Sequence, residues 1–168
     1  MAVRIFRFDN SIAVPRKWLT RHQIKRYKSN TLGILHEPEE EGYFLKSLNS
    51  LKESGAYVNI GAAWGYYSLL SKKTRPEIDV FAVEAHPKMC SRIMEGSMIN
   101  GVTGISVLNS AVVGREGLND GPMKIKFGYG ASVVSANSPD DADSMAVKLV
   151  DITRLLESVP NSYLLVSM

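Results

Sequence analysis

A single stretch of this chain restricts its fold more than any other. Residues 56–84 run as an apolar strand (AYVNI), a glycine turn (GAAWG), a helix, and a second apolar strand (DVFAVE) that ends on a carboxylate. Two short apolar strands joined through one helix form a βαβ unit, and its parallel strands require a sheet covered on both faces. Gly61 and Gly65 bracket the turn, where missing side chains let the backbone bend sharply and lie against a ligand. The helix is expected to start near Gly65, to present Tyr66, Tyr67, Leu69 and Leu70 as its apolar side, and to stop before Pro76. Its unpaired N–H groups and positive dipole end would face whatever rests on the turn.

The spacing points to a ligand with a ribose. Glu84 follows Gly61 by 23 positions, close to the roughly 20-residue offset at which a carboxylate on the next strand reaches vicinal ribose hydroxyls. The turn narrows the choice further. Dinucleotide sites use G-x-G-x-x-G, whose middle glycine admits a pyrophosphate, whereas Ala62, Ala63 and Trp64 separate the two glycines here. S-adenosylmethionine has no phosphate, so an amino-acid tail and a ribose suit this turn better. The expected contacts are Asn59, Gly61, Ala62, Ala63, Trp64, Gly65 and Tyr66 around the turn, with Glu84, Ala85 and His86 at the second strand end. A third strand, ISVLNSAVVG, is expected to bring Asn109, Ser110 and Ala111 beside the adenine. The plainer alternative is a tight strand-to-helix connection that binds nothing.

The remaining elements follow from punctuation and periodicity. Pro38 and the carboxylates of Glu39, Glu40 and Glu41 mark a helix start, with Phe44, Leu45, Leu48 and Leu51 at helical spacing. Pro87 opens another helix and Asn100-Gly101 closes it; Met89, Cys90, Ile93, Met94 and Met98 are expected to fill its core side. Residues 117–137 break the rhythm: MKIKF alternates with period two, GYG supplies a turn and ASVVSA returns, so a β-hairpin insertion that covers substrate is expected. A polar loop, SPDDADS, follows; Asp151 then caps a short helix and YLLVSM is a fourth parallel strand. With right-handed crossovers the strand order is 3-2-1-4. The last strand lies at an edge in that order, and an apolar edge suggests pairing in a homodimer.

Four successive blocks, HEPEEEGYFLKSL, YVNIGAAWGYYSLL, VFAVEAHPKMCSRIMEGSMING and ISVLNSAVVGREG, resemble in order the motifs of the FkbM-type S-adenosylmethionine-dependent methyltransferases. The resemblance runs from His36 to the C-terminus. It implies a Rossmann-like class I methyltransferase fold, an α/β architecture with a mostly parallel sheet and helices on both faces. It also implies methylation of a hydroxyl on a sugar, polyketide or other small molecule. Asn59 stands where the family is usually acidic, keeping a hydrogen-bonding oxygen without the charge. Family members continue past the strand on which this chain stops, at Met168, so the methyltransferase domain is expected to be C-terminally short, whether as a natural form or a fragment.

Charge divides the chain into residues 1–35, a basic N-terminal segment, and residues 36–168, the methyltransferase domain. Arg16, Lys17, Arg21, Lys25, Arg26 and Lys28 occur with no acidic residue between them. A net charge of only +3 and the lack of a stacking-aromatic pattern favour a solvated helical face over a nucleic-acid site. Cys90 is the only cysteine, which excludes an intrachain disulfide, and no metal-ligand spacing such as H-E-x-x-H occurs. No apolar run approaches the ~18 residues of a membrane span, so a soluble cytoplasmic protein is expected. An alcohol acceptor benefits from a general base; His36 and Glu37, just before a helix that reaches the sheet's carboxyl edge, are the candidates. A cofactor-binding module without catalytic activity is the alternative.

Overall fold

The structure, a computed structural model, describes residues 3–120, 123–126, 132–135, 144–160 and 163–168. It opens with an antiparallel pair, β1 (Ile5–Arg7) and β2 (Ala13–Pro15), followed by α1 (Arg21–Lys28) and α2 (Pro38–Ser50). The βαβ unit is β3 (Ala56–Ile60), α3 (Tyr66–Thr74) and β4 (Asp79–Val83), and α4 (Pro87–Asn100) then leads to β5 (Ile105–Leu108). β6 (Ala111–Val113), β7 (Met123–Lys126), β8 (Ser132–Ser135), β9 (Ser144–Val147), β10 (Leu149–Asp151), α5 (Ile152–Glu157) and β11 (Leu164–Ser167) complete it. The central sheet is parallel, in the order β11-β3-β4-β5, which is the expected 3-2-1-4 arrangement.

Alternation along the strands explains the layers. Tyr57 on β3 and Val80 on β4 point to the face covered by α2, where they meet Leu48 and Phe44. Ala82 meets Ile93 of α4 on that same face. Ala56, Val58 and Val83 point the opposite way, against Leu155 of α5 and Val159. Burying both faces is what makes these strands continuously apolar rather than alternating. Right-handed crossovers place α3 and α4 on one face and α5 on the other, so strand order reverses at β3, with β4 added on one side and β11 on the other, all parallel. That reversal opens a crevice at the strands' carboxyl ends, where ligands of open α/β sheets bind.

Four features depart from the sequence reading or extend it. The basic segment that charge set apart is packed into the main core: Phe6, Phe8, Ile12, Val14, Trp18 and Tyr27 cluster with Trp64, Tyr66 and Leu69. Asn100 ties it down further, donating to the Ala13 carbonyl at 2.7 Å and accepting from the Ala13 N–H at 2.8 Å. The expected third strand is two strands: β5 joins the central sheet, while β6 pairs in parallel with β10. Met94 and Met98 are exposed at 54% and 83%, because the buried side of α4 follows Cys90, Ile93 and Gly96. Gly96 faces Leu69 and Trp18, and that contact sets which stripe of the helix is covered.

The expected hairpin is present as β7 and β8, and β9 pairs with the other edge of β7 to make a three-stranded antiparallel sheet. The GYG turn and all of SPDDADS except Ser144 lie outside the described residues. Among the described residues, no helix is long and apolar enough to cross a membrane. No group of three or more His, Cys, Asp or Glu among them could hold a metal ion.

Candidate functional site

The turn after β3 is held from behind by β4. The N–H groups of Gly61 and Ala62 both donate to the Val83 carbonyl, at 2.9 and 3.0 Å. Ala63 is kept in the left-handed region at φ 49°, unusual for a residue with a side chain. Its N–H donates to Glu84 Oε2 at 2.8 Å, which fixes that conformation. Gly65, at φ 88°, donates to the Ala62 carbonyl and begins α3. The N–H groups of residues 61, 62, 63 and 65 are therefore engaged within the protein, and an anion such as a pyrophosphate would find few donors.

The two glycines have different duties. A side chain on Gly65 would bring its Cβ within 2.9 Å of Ile93, so this glycine lets α3 and α4 pack closely and does not face a ligand. A side chain on Gly61 would meet no atom within 4 Å, so open space lies directly over the main chain at this point. Gly61 also has φ 69°, which favours glycine. This clear surface of backbone fits a close-lying cofactor without phosphates.

A cavity of about 460 Å³ adjoins the turn at the carboxyl ends of β3 and β11, with α2 as its opposite wall. That volume falls in the range of small-molecule sites, roughly 300–1,000 Å³. Its floor is Asn59, Ile60 and Ser167; the rings of Phe44, Tyr66 and Tyr67 and the carboxylates of Glu37 and Glu40 form its walls. Asn59 is buried, donating to Ser68 Oγ at 2.9 Å and accepting from Ser167 Oγ at 3.3 Å. Trp64, expected as a cofactor contact, lines the cavity yet turns its ring into the core, stacked on Phe8 with centroids 6.3 Å apart. No described residue of the three-stranded insertion lines this cavity.

His36 stands in an aromatic enclosure. Its ring lies 4.6 Å from the Tyr66 centroid and 5.4 Å from that of Trp64, and its Nδ1 is 2.8 Å from Tyr27 Oη. Burial, aided by the Arg26 charge, pulls its pKa down to about 4, so the ring is neutral at neutral pH and a weak base. Its Nε2 is 3.7 Å from Glu37 Oε2, and Tyr67 Oη donates to that same oxygen at 3.4 Å. Tyr66 Oη donates to the buried Glu41 at 2.5 Å and accepts from Asn10 at 2.6 Å. Burial, and then Glu41, push this phenol well above its ordinary range. The hydroxyl is thus committed to a bracket between α2 and the N-terminal segment, leaving only the ring to face the cavity.

The other expected residues lie outside the cavity, at the tips of β4 and β5. Glu84 is 8% exposed; Oε2 takes the Ala63 N–H and Oε1 the His86 N–H, each at 2.8 Å. His86 caps α4, its Nδ1 accepting from the Lys88 N–H. Asn109 spends both donors on the Glu84 and Ala85 carbonyls, at 2.9 and 2.8 Å. Ser110 is buried and donates to the Asn109 carbonyl. Ala111 begins β6, where its N–H donates to the Lys148 carbonyl. Cys90 is buried, and burial pushes its thiol up. Sequence reading missed Glu40, Phe44, Tyr67 and Ser167 as cavity residues. Their signals, a carboxylate-rich first turn and helix-spaced rings, also serve dipole and core.

Neither a family model nor a curated protein matches the sequence. Similar solved structures include an S-adenosylmethionine-dependent methyltransferase from Agrobacterium tumefaciens, 16% identical with a TM-score of 0.39, over 45% of this chain and 25% of that one. A precorrin-6y C5,15-methyltransferase from Geobacter metallireducens is 18% identical with a TM-score of 0.40, over 49% of this chain and 42% of that one. A protein from Pyrococcus horikoshii is 15% identical with a TM-score of 0.44, over 65% of this chain and 36% of that one. The chain spans less than half the length of each.

Proposed function

We propose that this chain binds S-adenosylmethionine along the turn after β3 and, as an FkbM-like methyltransferase, methylates a hydroxyl of a small sugar-like or polyketide-like acceptor seated in the cavity. The observation that carries this reading is the bare backbone at Gly61, with open space above it, between the cavity and the Glu84 carboxylate. Glu84 would take the ribose diol: each oxygen already accepts one N–H, and a carboxylate has about four acceptor positions. The amino-acid tail would lie toward Asn59 and the cavity, and the adenine toward Asn109 and Ser110. When bound, the cofactor supplies a methyl carbon already activated by its sulfonium.

The chain's own contribution is then alignment and proton handling. Tyr67, Phe44 and α2 hold the acceptor against the turn, and fixed orientation of this kind supplies much of a transfer barrier. Glu37 Oε2 takes the hydroxyl proton as general base. Tyr67 Oη and His36 Nε2 beside that oxygen orient it. In the tautomer whose Nδ1 accepts from Tyr27 Oη, the ring's N–H is on Nε2, the Glu37 side. The weak basicity of His36 favours one other reading, a cofactor-binding module without transfer.

Calorimetry with S-adenosylhomocysteine tests the cofactor assignment: saturable one-to-one binding that Gly61→Val abolishes is expected. No binding by the wild-type chain would remove it. Methyl transfer to a panel of sugars and polyketide alcohols, measured on the same sample, separates the enzyme from the binding module.

A further inference from the structure

The cavity's charge is one-sided. Glu37 and Glu40 are the ionised side chains among its described lining residues, and no Lys or Arg accompanies them. Two nearby cations pack on rings: Arg26 over the Tyr27 ring at 5.3 Å, and Lys46 over the ring of the lining residue Tyr43 at 5.7 Å. The Glu37 side chain is 39% exposed, and the basic group 3.7 Å from it is the neutral His36. This half-exposed carboxylate thus sits in a cavity with no Lys or Arg among its described lining residues. Next to it, Phe44 and Tyr67 meet edge to face with centroids 4.8 Å apart, and ring faces attract cations.

We propose that the cavity selects an acceptor bearing a cationic amine, with Glu37 and Glu40 as its specificity-determining carboxylates and Phe44 and Tyr67 as the apolar walls beside the ammonium. This rests on the cavity being the acceptor site of the proposed methyltransferase. An ammonium supplies a positive charge inside the cavity, where no described lining residue is a Lys or Arg. A phosphorylated or carboxylated acceptor meets like charge from two carboxylates at the cavity wall, a repulsion that salt screens because both reach solvent. A neutral polyol falls between the two.

The test is a titration of the chain, with and without saturating S-adenosylhomocysteine, by glucosamine, glucose and glucose 6-phosphate, followed by calorimetry and by nuclear magnetic resonance. Glucosamine is expected to bind about tenfold more tightly than glucose, and glucose 6-phosphate not at all. Added salt should narrow that margin. Glu37→Gln and Glu40→Gln should each bring glucosamine toward glucose while S-adenosylhomocysteine still binds. Three results would overturn the proposal: equal affinities, preference for the phosphate, or no glucosamine binding. A fourth, mutual exclusion of glucosamine and S-adenosylhomocysteine, would also overturn it, because the carboxylates would then be reading the cofactor's own ammonium. Failure of S-adenosylhomocysteine to bind removes the cofactor assignment instead, and the sugar ranking on the unloaded chain still decides the charge selection.

Discussion

The two flanks of the β3 turn are built in opposite ways. On the β4 side, polar groups are spent: Glu84 holds two N–H groups, Asn109 holds two carbonyls, and Ser110 is buried beneath them. On the α2 side a cavity opens, with Glu37 facing a neutral histidine and rings that have space before them. One flank is a fixed support and the other is a receptacle. The same five residues of turn serve both, because the backbone that Glu84 braces from behind is the backbone that lies bare in front.

Substitution at Gly61 should have the largest effect, because it acts on the surface common to both flanks. In Gly61→Val the side chain enters the open space over the turn and a β-branched residue is forced to φ 69°. The strain costs about 1–2 kcal/mol of stability, while affinity for S-adenosylhomocysteine should fall more than about a hundredfold. Calorimetry and a melting curve on one preparation separate the two. Retained affinity in a folded variant would show that the ligand does not lie on this backbone.

Glu84→Gln ranks next and asks whether the support flank also binds. The amide keeps an acceptor for one N–H but loses the charge and the second acceptor. Hydrogen bonds to charged groups contribute about 1.5–3 kcal/mol, so affinity should drop about ten- to hundredfold. A loss of stability with unchanged affinity would make Glu84 a brace alone.

How much of this was legible in the sequence follows the same division. The turn, its glycines and Glu84 lie within one βαβ unit, so spacing alone placed them together, and the Ala63 N–H donates to Glu84 in the fold. Strand order followed from crossover handedness. The receptacle was not legible, because its walls come from α2 and β11 and from rings whose helical spacing reads equally as core. Phe44 is an example, packing on Tyr57 and also lining the cavity. The N-terminal segment was set apart for a related reason: its clustered charges do form a solvated face on α1, but Phe6, Phe8 and Trp18, which bind it to the core, show no periodic pattern in the sequence. Gly65 was read as a ligand contact because a helix-packing glycine and a ligand-facing one look alike until Ile93 is placed 2.9 Å from the missing side chain.

The receptacle's own signature should appear in acid. His36 has its pKa held down from 6.5 to about 4 by burial and by Arg26. Between these values the unfolded chain binds a proton that the folded chain does not. Stability is therefore complete above about pH 6.5 and falls as the pH drops toward 4, by about 3 kcal/mol at the acid end. His36→Gln keeps an acceptor for Tyr27 Oη but has no proton to gain, so urea unfolding from pH 7 to pH 4 should show a shallower decline in the variant. Parallel declines would mean that the enclosure does not exclude the charged ring.

Asn109→Ala should give the smallest effect, and it tests whether the two flanks are separable. It removes donors to the Glu84 and Ala85 carbonyls, leaving Glu84's own contacts to Ala63 and His86 in place. At about 1 ± 0.5 kcal/mol per neutral hydrogen bond, and with water able to replace part of an exposed bond, the cost in stability should be about 1–2 kcal/mol. Affinity for S-adenosylhomocysteine should fall less than about tenfold, since only the adenine end loses its support. The ranking of glucosamine over glucose should not change, because Glu37 and Glu40 are positioned by α2 and not by the tip of β5. A change in that ranking would mean that the receptacle depends on the support and that the flanks act as one unit.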